Sequence, residues 1–472
     1  MRLRVALPKG RLLEATARLL EKAGWRLEDY SSKARLYRVY SERWPALAAK
    51  MFHEKDIPIQ VAIGNYDMGI CGLDWFQEQL VKFPSSALVR LMDLDYGEGS
   101  LYLAASSSRI ENHTLLTENG TVRIASEYPN LAERVAGELR LRWFSIFPLW
   151  GAAEGYPPEN AELVLLPRKT DREIAEAGLK PVAKLIDFKA CLIGNASSVK
   201  TKDMAWLLDT IAGNTSDTLD FSPHTISSIT PLVVKSVGQT ADENLVRLAL
   251  PDGHQQVHVR KILAAAGIKV EDYPSVDGKR RPCGPEGFFI KVIRPQDMPL
   301  QVANGNFDLG ITGRDWLTDH VYQFPTSPVR ELLDLKYGWV RIVTVIDNSV
   351  PVNNLAELIN YRRDIKEPCR VASEYVNIAD NYSRINHLGE YKVIPTWGST
   401  EAFLPEDADL LIENTETGST IARHELKIID TLFESTACVI GRNENGLGAK
   451  QQRIRWFLDA LKRSLGDADE NN

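Results

Sequence analysis

Side chains able to do chemistry are concentrated in one polar turn near the carboxyl end of the chain. Leu410 to Ile412 predict the end of a buried strand, Glu413 to Thr420 form a polar turn with one glycine, and Ile421 onward has helical spacing. A strand, a hydroxyl-rich glycine turn and a helix start together point free backbone N–H groups at an anion. The helix dipole favours negative charge at the same place.

The residue types in this turn suit a phosphorylated sugar. Gly418 lets the backbone come close to a ligand, and the neighbouring hydroxyls add donors. Glu413 and Glu416 can accept hydrogen bonds from sugar hydroxyls or hold a hydrated Mg²⁺. An ordinary N-capped helix after a strand fits the same residues, so the turn alone leaves both interpretations open. The predicted binding residues are Glu413, Thr415, Glu416, Thr417, Gly418, Ser419 and Thr420.

Length and composition exclude several classes of protein. A chain of 472 residues predicts about two to four domains, and 44% hydrophobic with 25% charged residues is typical of a globular protein. The net charge of −7 argues against a nucleic-acid or anionic-membrane surface. No segment approaches the roughly 18 apolar residues that a membrane span needs, and the start has too short an apolar run for a signal peptide. Five scattered cysteines without zinc spacing predict reduced thiols, a cytoplasmic location and no metal held directly by protein.

The sequence is written twice. Each of five motifs in the first half returns in the second half at an offset between 241 and 247 residues, in the same order. So many collinear matches indicate duplication of a whole unit. The pairs are Leu3–Pro8 with Val246–Pro251, Val61–Trp75 with Val302–Trp316, Arg123–Tyr128 with Arg370–Tyr375, Pro148–Gly151 with Pro395–Gly398, and Ala190–Gly194 with Ala437–Gly441.

Short apolar strands alternate with amphipathic helices inside each repeat. Leu3 to Leu7 predicts a strand and Leu12 to Lys22 a helix, and Asp67 to Gly72 predicts a strand that runs into a glycine turn before the helix Asp74 to Lys82. This alternation predicts an α/β fold with mostly parallel sheets, two per unit and with a cleft between them. Ligands of such sheets lie beyond the carboxyl ends of the strands.

Taken together, these motifs resemble the ATP phosphoribosyltransferase family. The matching stretches are Ala6–Leu12, Arg294–Pro299, Phe307–Gly313, Leu332–Leu335, Ala372–Tyr375, Gly398–Glu401 and Glu413–Ile421. The resemblance implies a bilobal, periplasmic-binding-protein-like (type II) unit whose second lobe is inserted into the first. It also implies the first step of histidine biosynthesis: N1 of ATP's adenine joins C1 of phosphoribosyl pyrophosphate (PRPP), and pyrophosphate leaves with its Mg²⁺.

The resemblance also predicts domain boundaries and partners. The first unit comprises 1–212, with lobe I at about 1–98 and 190–212 and lobe II at about 99–189. A linker follows at 213–244. The second unit comprises 245–466, with lobe I at about 245–339 and 437–466 and lobe II at about 340–436, before a tail at 467–472. Each unit is too short for the histidine-sensing domain of longer members, so feedback control would need a separate regulatory subunit or be absent. Further homo-oligomerisation is expected.

The two repeats differ at complementary positions. In the first repeat Leu166, Asp171, Arg172 and Glu173 replace Glu413, Gly418, Ser419 and Thr420, which puts acidic side chains where a phosphate would bind. In the second repeat Asp252 and His254 replace Lys9 and Arg11. The cation Arg294 in turn aligns with His53.

Family resemblance therefore predicts one composite site. Family members are dimers in which cations from one subunit reach the neighbour's site, so Lys9 and Arg11, with nearby Arg35, would serve the PRPP held by Glu413 to Thr420. Lys9, Arg11 and Arg294 are the predicted catalytic residues, and the two units form an internal pseudo-dimer with one vestigial site. A catalytically inactive nucleotide-binding or regulatory paralogue is the alternative, motivated by the motifs lost from each copy. A small-solute binding protein is a third interpretation, disfavoured by the missing export signal.

Overall fold

A computed structural model describes residues 3–33, 37–84, 87–111, 114–117, 120–215, 230–236, 244–274, 280–442 and 448–469. In the first repeat the strands are β1 (Leu3–Lys9), β2 (Leu27–Glu28), β3 (Arg38–Ser41), β4 (Leu47–His53), β5 (Met68–Gly72), β6 (Leu88–Asp93), β7 (Gly99–Ser106), β8 (Ile110–Glu111), β9 (Thr114–Thr117), β10 (Val122–Ser126), β11 (Phe144–Pro148), β12 (Leu163–Arg168), β13 (Leu179–Phe188) and β14 (Ala190–Asn195). The helices are α1 (Leu13–Lys22), α2 (Asp56–Ala62), α3 (Leu73–Lys82), α4 (Pro129–Glu138), α5 (Asp171–Glu176), α6 (Ala196–Thr201) and α7 (Ala205–Ala212).

The second repeat follows a short strand, β15 (Val233–Ser236). Its strands are β16 (Val246–Pro251), β17 (Phe288–Ile293), β18 (Leu309–Gly313), β19 (Val329–Asp334), β20 (Val340–Asp347), β21 (Cys369–Ser373), β22 (Tyr391–Pro395), β23 (Leu410–Thr415), β24 (Leu426–Ser435) and β25 (Ala437–Arg442). Its helices are α8 (Gln255–Ala265), α9 (Met298–Ala303), α10 (Arg314–Gln323), α11 (Leu355–Arg362), α12 (Val376–Ile385), α13 (Ser419–Arg423) and α14 (Ala449–Asp469).

Each repeat contributes strands to two large sheets. Sheet A has the order β2-β3-β4-β1-β5-β14-β6 and sheet B the order β11-β10-β12-β7-β13. Sheet D has the order β17-β16-β18-β25-β19 and sheet E the order β22-β21-β23-β20-β24. The chain passes from sheet A to sheet B between β6 and β7 and returns between β13 and β14, and the second repeat crosses at the corresponding places.

One strand opposes the others in each five-stranded sheet. In sheet E, β22, β21 and β23 pair in parallel, whereas β20 pairs antiparallel with both β23 and β24. Sheets B and D show the same pattern, with β7 and β25 as the opposed strands. Four strands of five therefore run in one direction. This arrangement confirms the predicted α/β class with two mostly parallel sheets in each repeat.

Apolar residues on one stripe of each main helix pack against the sheets. On α1 the buried positions include Leu13, Thr16, Leu19 and Leu20, a spacing of three and four residues that places them on one helix face. They join the core around Val5 and the other apolar residues of sheet A. Separate cores form under sheet D and sheet E. The predicted strands and helices at 3–22 and 67–82 agree with these elements to within one to two residues.

The chain divides into two compact units that do not follow the repeat boundary. Unit 1 consists of Met1–Pro148, Ala161–Val237 and Thr396–Ala402, and unit 2 consists of Leu149–Asn160, Gly238–Pro395 and Phe403–Asn472. Each unit therefore contains one short segment from the other repeat. The predicted boundaries did not include this exchange.

A buried lysine fixes the first-repeat segment inside unit 2. Lys291 is fully buried, and its ammonium donates to the Tyr156 carbonyl at 2.9 Å and to Asn160 Oδ1 at 2.8 Å. A Glu159 carboxylate oxygen lies 2.7 Å from the same nitrogen. Because an unpaired charge is costly to bury, this ammonium needs these three partners, and all of them come from the exchanged segment.

Part of the predicted linker packs against unit 1. β15 pairs in parallel with β9, which pairs antiparallel with β8, so the three strands form a small sheet C. β15 therefore places a strand inside the segment 213–244 that was predicted as a linker. Among the helices that the structure describes, none combines the length and the apolar character needed to cross a membrane.

Candidate active site

The polar turn of the second repeat is shorter than expected. β23 continues through Thr415, so Glu413 and Asn414 lie in a strand and not in the turn. α13 has only five residues and begins at Ser419. The strand end predicted at Ile412 was therefore wrong by three residues, and the helix start predicted at Ile421 was wrong by two. The polar residues Glu413 to Thr415 suggested a turn, but they pair with β20 as part of the strand. A helix this short also contributes little macrodipole, so the expected dipole support is weaker than predicted.

The turn itself holds backbone and hydroxyl donors in an open loop. Gly418 has φ +78° and precedes α13 without any side-chain cap. Its N–H donates to Thr415 Oγ1 at 2.9 Å, and Ser419 donates its N–H to Thr417 Oγ1 at 3.3 Å. Thr417, Ser419 and Thr420 are exposed. Only glycine adopts this left-handed conformation without strain, which explains the glycine at this position.

One carboxylate lies near the end of β23 and a second lies in the loop that follows. Glu413 is half-buried and its Oε1 accepts the N–H of Asn414 at 3.0 Å, while Glu416 is exposed. Carboxylate oxygens in a wet loop fit a hydrated Mg²⁺ brought by a diphosphate, since this ion retains several waters. Within the described ranges, no group of three or more His, Cys, Asp or Glu side chains is arranged to hold a metal by itself.

A buried network supports the strand that leads to the loop. Asn414 Nδ2 donates to the Tyr375 hydroxyl at 2.9 Å, and that hydroxyl donates to Asp315 Oδ2 at 2.5 Å. Ser435 donates to Asp315 Oδ1 at 2.8 Å. Burial raises the pKa of Asp315, opposed by the hydrogen bonds from Tyr375 and Ser435. These residues were missed as site residues, although Asp315 and Tyr375 recur in both repeats.

The corresponding loop of the first repeat is closed by its own side chains. Thr170 caps α5 by accepting the Glu173 N–H at 3.3 Å, and Glu173 Oε2 accepts the Lys169 N–H at 3.1 Å. This resembles a capping box, in which side chains occupy the donors of a helix start. Asp171 stands where the second repeat has Gly418. Each loop thus has two backbone N–H groups accepted by its own side chains, and the loops differ in the residue that precedes the helix, Thr170 in the first repeat and Gly418 in the second.

Unit 1 contains a large cleft next to this closed loop. Its volume is about 1460 Å³ and its walls carry both signs of charge. Lys9, Arg11, His53, Glu54, Lys55, Trp75, Glu127, Arg168, Lys169, Glu173, Lys184, Asp187 and Lys189 are among its lining residues. The predicted cations Lys9 and Arg11 thus face a cleft that their own repeat builds.

Arg11 is engaged by carboxylates within that cleft. Its Nη2 lies 2.8 Å from Glu54 Oε2 and 3.9 Å from Asp74 Oδ1. Burial alone would lower the pKa of Arg11, but the charges of Glu54 and Asp74 raise it above its ordinary value. Burial raises the pKa of Glu54, which Arg11 opposes. The sequence predicted Arg11 as a cation that serves PRPP and did not predict these two carboxylate partners.

Lys9 contacts the segment of the second repeat that belongs to unit 1. Its ammonium lies 2.9 Å from Ser399 Oγ and 3.2 Å from the Tyr37 hydroxyl. Ser399 belongs to the Gly398–Glu401 motif that the sequence singled out. Burial, with the nearby charges of Lys55 and Lys9, lowers the pKa of His53 to about 4. Arg35, the further predicted contact, lies outside the described residues.

Arg294 lies in unit 2 beside the exchanged segment of the first repeat. A Cβ on Gly151 would come within 3.0 Å of its Nε, so the guanidinium packs against that backbone. Its Nη1 is 3.6 Å from Asp252 Oδ2, which also pairs with Arg280 at 2.6 Å. Burial opposes ionisation of Asp252, but Arg280 and Arg294 hold its pKa below the ordinary value. Asp252, which replaces Lys9 in the second repeat, is therefore an ion-pair partner of Arg294, a predicted catalytic residue.

A family model described as ATP phosphoribosyltransferase matches the chain twice, over residues 53–213 and 294–463. These two segments cover most of both repeats. The chain belongs to the ATP phosphoribosyltransferase family. The matched ranges include Arg294 and the whole of Glu413 to Thr420, whereas Lys9, Arg11 and Arg35 precede the first range. Family membership therefore bears on the loop and on Arg294 but not on the other three cations.

Named relatives agree with the family. An ATP phosphoribosyltransferase of Chlorobaculum parvum is 32% identical over 207 residues, which are 42% of this chain and 63% of that protein. One from Methanocaldococcus jannaschii is 32% identical over 228 residues, which are 47% of this chain and 73% of that protein. The chain thus spans about two thirds to three quarters of these relatives. Each match is about the length of one repeat.

Two solved structures give weaker likenesses. The ATP phosphoribosyl transferase (HisG:HisZ) complex from Thermotoga maritima has 24% identity and a TM-score of 0.38, covering 45% of this chain and 97% of that chain. The periplasmic aliphatic sulphonate binding protein SsuA from Escherichia coli has 12% identity and a TM-score of 0.29, covering 48% of this chain and 72% of that chain. The fold assignment stands on the strand order and not on these scores.

Proposed function

We propose that the chain catalyses the ATP phosphoribosyltransferase reaction, joining N1 of the adenine of ATP to C1 of PRPP with release of pyrophosphate, the first step of histidine biosynthesis. The observation that carries this proposal is the uncapped loop at Gly418, within a segment that matches the family model. Glu413, Thr415, Glu416, Thr417, Gly418, Ser419 and Thr420 bind PRPP in this proposal.

The chemistry suits a site without an acid–base pair. Adenine N1 attacks through a lone pair and carries no proton to lose, so no general base is required. The sugar passes through an oxocarbenium-like state, as in glycoside cleavage. Cations must then stabilise the departing pyrophosphate while acceptors position the ribose. Glu413 and Glu416 are the acceptors of the loop.

The leaving group is served by cations from both repeats in our proposal. Lys9, Arg11 and Arg294 take the catalytic roles, with Arg35 as a further contact to the pyrophosphate or ATP. Lys9 contacts Ser399 of the Gly398–Glu401 motif, and both residues lie in unit 1. The first repeat's loop is vestigial in this proposal, since Asp171 and Glu173 place carboxylates where the second repeat has Gly418 and Thr420.

A Mg²⁺ ion carried by the substrate diphosphate would supply charge neutralisation. Glu413 and Glu416 are the side chains that could hold its water shell. The two repeats act as an internal pseudo-dimer, and we infer cytoplasmic activity with assembly into a larger homo-oligomer. In our proposal a separate regulatory subunit supplies any histidine control.

A second candidate is an inactive nucleotide-binding or regulatory paralogue. It is favoured by the ion pairs of Arg11 with Glu54 and of Arg294 with Asp252, which reduce the charge available to a leaving group. In this reading the chain would bind a nucleotide but turn nothing over. The arrangement of lobes would then serve a partner enzyme.

Pyrophosphate release from ATP plus PRPP separates the two candidates. The full chain with Mg²⁺ should release pyrophosphate in steady state and form N1-phosphoribosyl-ATP, detectable by mass spectrometry. Titration of PRPP should give one site per chain. No turnover, alone or with added candidate regulatory subunits, would favour the paralogue, and two PRPP per chain would contradict a vestigial first loop.

A further inference from the structure

Arg341 lies beside the PRPP loop and was not among the predicted site residues. It is the second residue of β20, and its register partner on β23 is Thr415. Directly opposite residues of an antiparallel pair carry their side chains on the same face, about 5 Å apart at Cβ. The Arg341 side chain therefore stands next to the hydroxyl that accepts the Gly418 N–H.

The guanidinium of Arg341 has no partner in the part of the chain that the structure describes. Its Nε is buried without a hydrogen bond, and no ion pair of its Nη atoms is found among those residues. Its partner on the other neighbouring strand, β24, is Glu434. Glu434 Oε2 accepts the indole N–H of Trp339 at 3.3 Å. A guanidinium without protein acceptors, beside a loop of N–H and hydroxyl donors, suits an anionic ligand.

In the first repeat the side chains at the corresponding strand positions bond to one another. Ser100 takes the place of Arg341, and its register partners are Arg168 and Asp187. The Ser100 hydroxyl donates to Asp187 Oδ1 at 2.6 Å, and Lys184 pairs with the same carboxylate at 2.6 Å. The first repeat thus satisfies this row internally, whereas the second leaves its cation unpaired.

The geometry points to Arg341 as a binding residue for the phosphoryl group held by the loop at Gly418. This inference rests on the proposed function for the identity of the sugar phosphate. A planar guanidinium matches phosphate oxygens in pairs and stays charged at every working pH. Arg341 supplies a cation from the same repeat as the loop, so the phosphate charge is met there without Lys9 or Arg11.

The test compares Arg341→Gln with Arg341→Lys and with Arg384→Gln as a matched control. Arg384 is an exposed arginine of the same sheet's α12, and its Nη2 bonds Asn381 Oδ1. Calorimetry with ribose 5-phosphate measures binding without turnover, and initial rates give the KM for PRPP and for ATP. Circular dichroism shows that each variant is folded.

We expect Arg341→Gln to weaken ribose 5-phosphate binding and to raise the KM for PRPP by about tenfold to a hundredfold, with the KM for ATP within twofold. Arg341→Lys should retain part of the affinity, and Arg384→Gln should behave as the unchanged chain. Affinity within twofold of the unchanged chain in Arg341→Gln would overturn the inference, as would an unchanged chain that does not bind ribose 5-phosphate. If the chain binds this probe through Arg341 but does not turn over, the inference stands and the proposed function fails.

Discussion

The two equivalent loops of this chain differ in which backbone N–H groups are accepted by side chains of the loop. In the first repeat Thr170 and Glu173 accept the N–H groups at the start of α5. In the second repeat Gly418 leaves the start of α13 without a side-chain cap, and the hydroxyls around it remain exposed. The first loop caps its helix with a side chain, whereas in the second loop Thr415 and Thr417 accept the N–H groups of Gly418 and Ser419 and the start of α13 stays uncapped. In our proposal the loop of the first repeat is structural and the loop of the second repeat binds the ligand.

Replacing Gly418 by aspartate gives the second loop the residue of the first and should have the largest effect. The left-handed φ of +78° is less favourable for a residue with a side chain than for glycine, and a new carboxylate repels phosphate. Together these cost about 4 kcal/mol or more, so kcat/KM for PRPP should fall about a thousandfold. The measurement is pyrophosphate release.

Asp171→Gly is the matched control for this substitution. It changes the corresponding position of the first loop, where we expect no substrate, so turnover should stay within twofold. Normal activity of Gly418→Asp, or a large loss in Asp171→Gly, would reverse the assignment of the two loops.

Removing Arg11 tests whether a cation of the first repeat serves the second loop. Loss of one preorganised donor to developing charge should reduce kcat about a hundredfold in Arg11→Ala. The same change leaves Glu54 and Asp74 without their cation, so urea unfolding must be measured in parallel.

The double variant Arg11→Ala with Glu54→Gln separates stability from activity. It removes the unpaired carboxylate and should recover stability without recovering turnover. Full turnover of Arg11→Ala would mean that the cations that bind the pyrophosphate come from the second repeat alone.

Thr170→Ala should change stability and not turnover, whereas Thr417→Ala should change the KM for PRPP and not stability. Loss of the Thr170 cap should lower the free energy of unfolding by about 1 kcal/mol and leave turnover unchanged. Thr417→Ala should change stability little, since the contacts of this hydroxyl with Ser419 are exposed, but it should raise the KM for PRPP about tenfold if the hydroxyl binds PRPP as we propose. Thermal unfolding and initial rates measure the two effects. Equal behaviour of the two variants would show that the loops do not differ in function.

His53, whose position Arg294 occupies in the second repeat, gives a test that appears only when the pH is lowered. Its pKa is about 4 in the folded chain against an ordinary 6.5, so the unfolded chain binds its proton first as the pH falls. Stability from this group is present above pH 6.5 and is lost progressively down to pH 4, by at most about 3 kcal/mol.

Urea unfolding between pH 7 and pH 4 should therefore show a shallower loss of stability in His53→Gln than in the unchanged chain. His258→Gln, at an exposed position on α8, is the control and should follow the unchanged chain. Parallel curves for His53→Gln and the unchanged chain would exclude the shift.

Some of the site could be predicted because it is local in sequence. The strand at Leu410 to Ile412, the glycine at 418 and the hydroxyls around it follow from propensity and turn chemistry over a few residues. The end of that strand could not, because Glu413 to Thr415 are polar and are held in the strand by pairing with β20. Arg341 was missed for the same reason, since only strand register places it opposite Thr415.

By itself the sequence determined the duplication pattern, the α/β class, the family and the loss of motifs from each copy, since all of these depend on residue types and their spacing. The boundaries of units and lobes and the roles of Lys9, Arg11 and Arg294 remain proposals. Only the tertiary structure decided that segments 149–160 and 396–402 are exchanged between the compact units, and that Lys291 holds one of them. The physical reason is that a buried charge is satisfied by groups far away in the chain, and no local pattern states which groups those are.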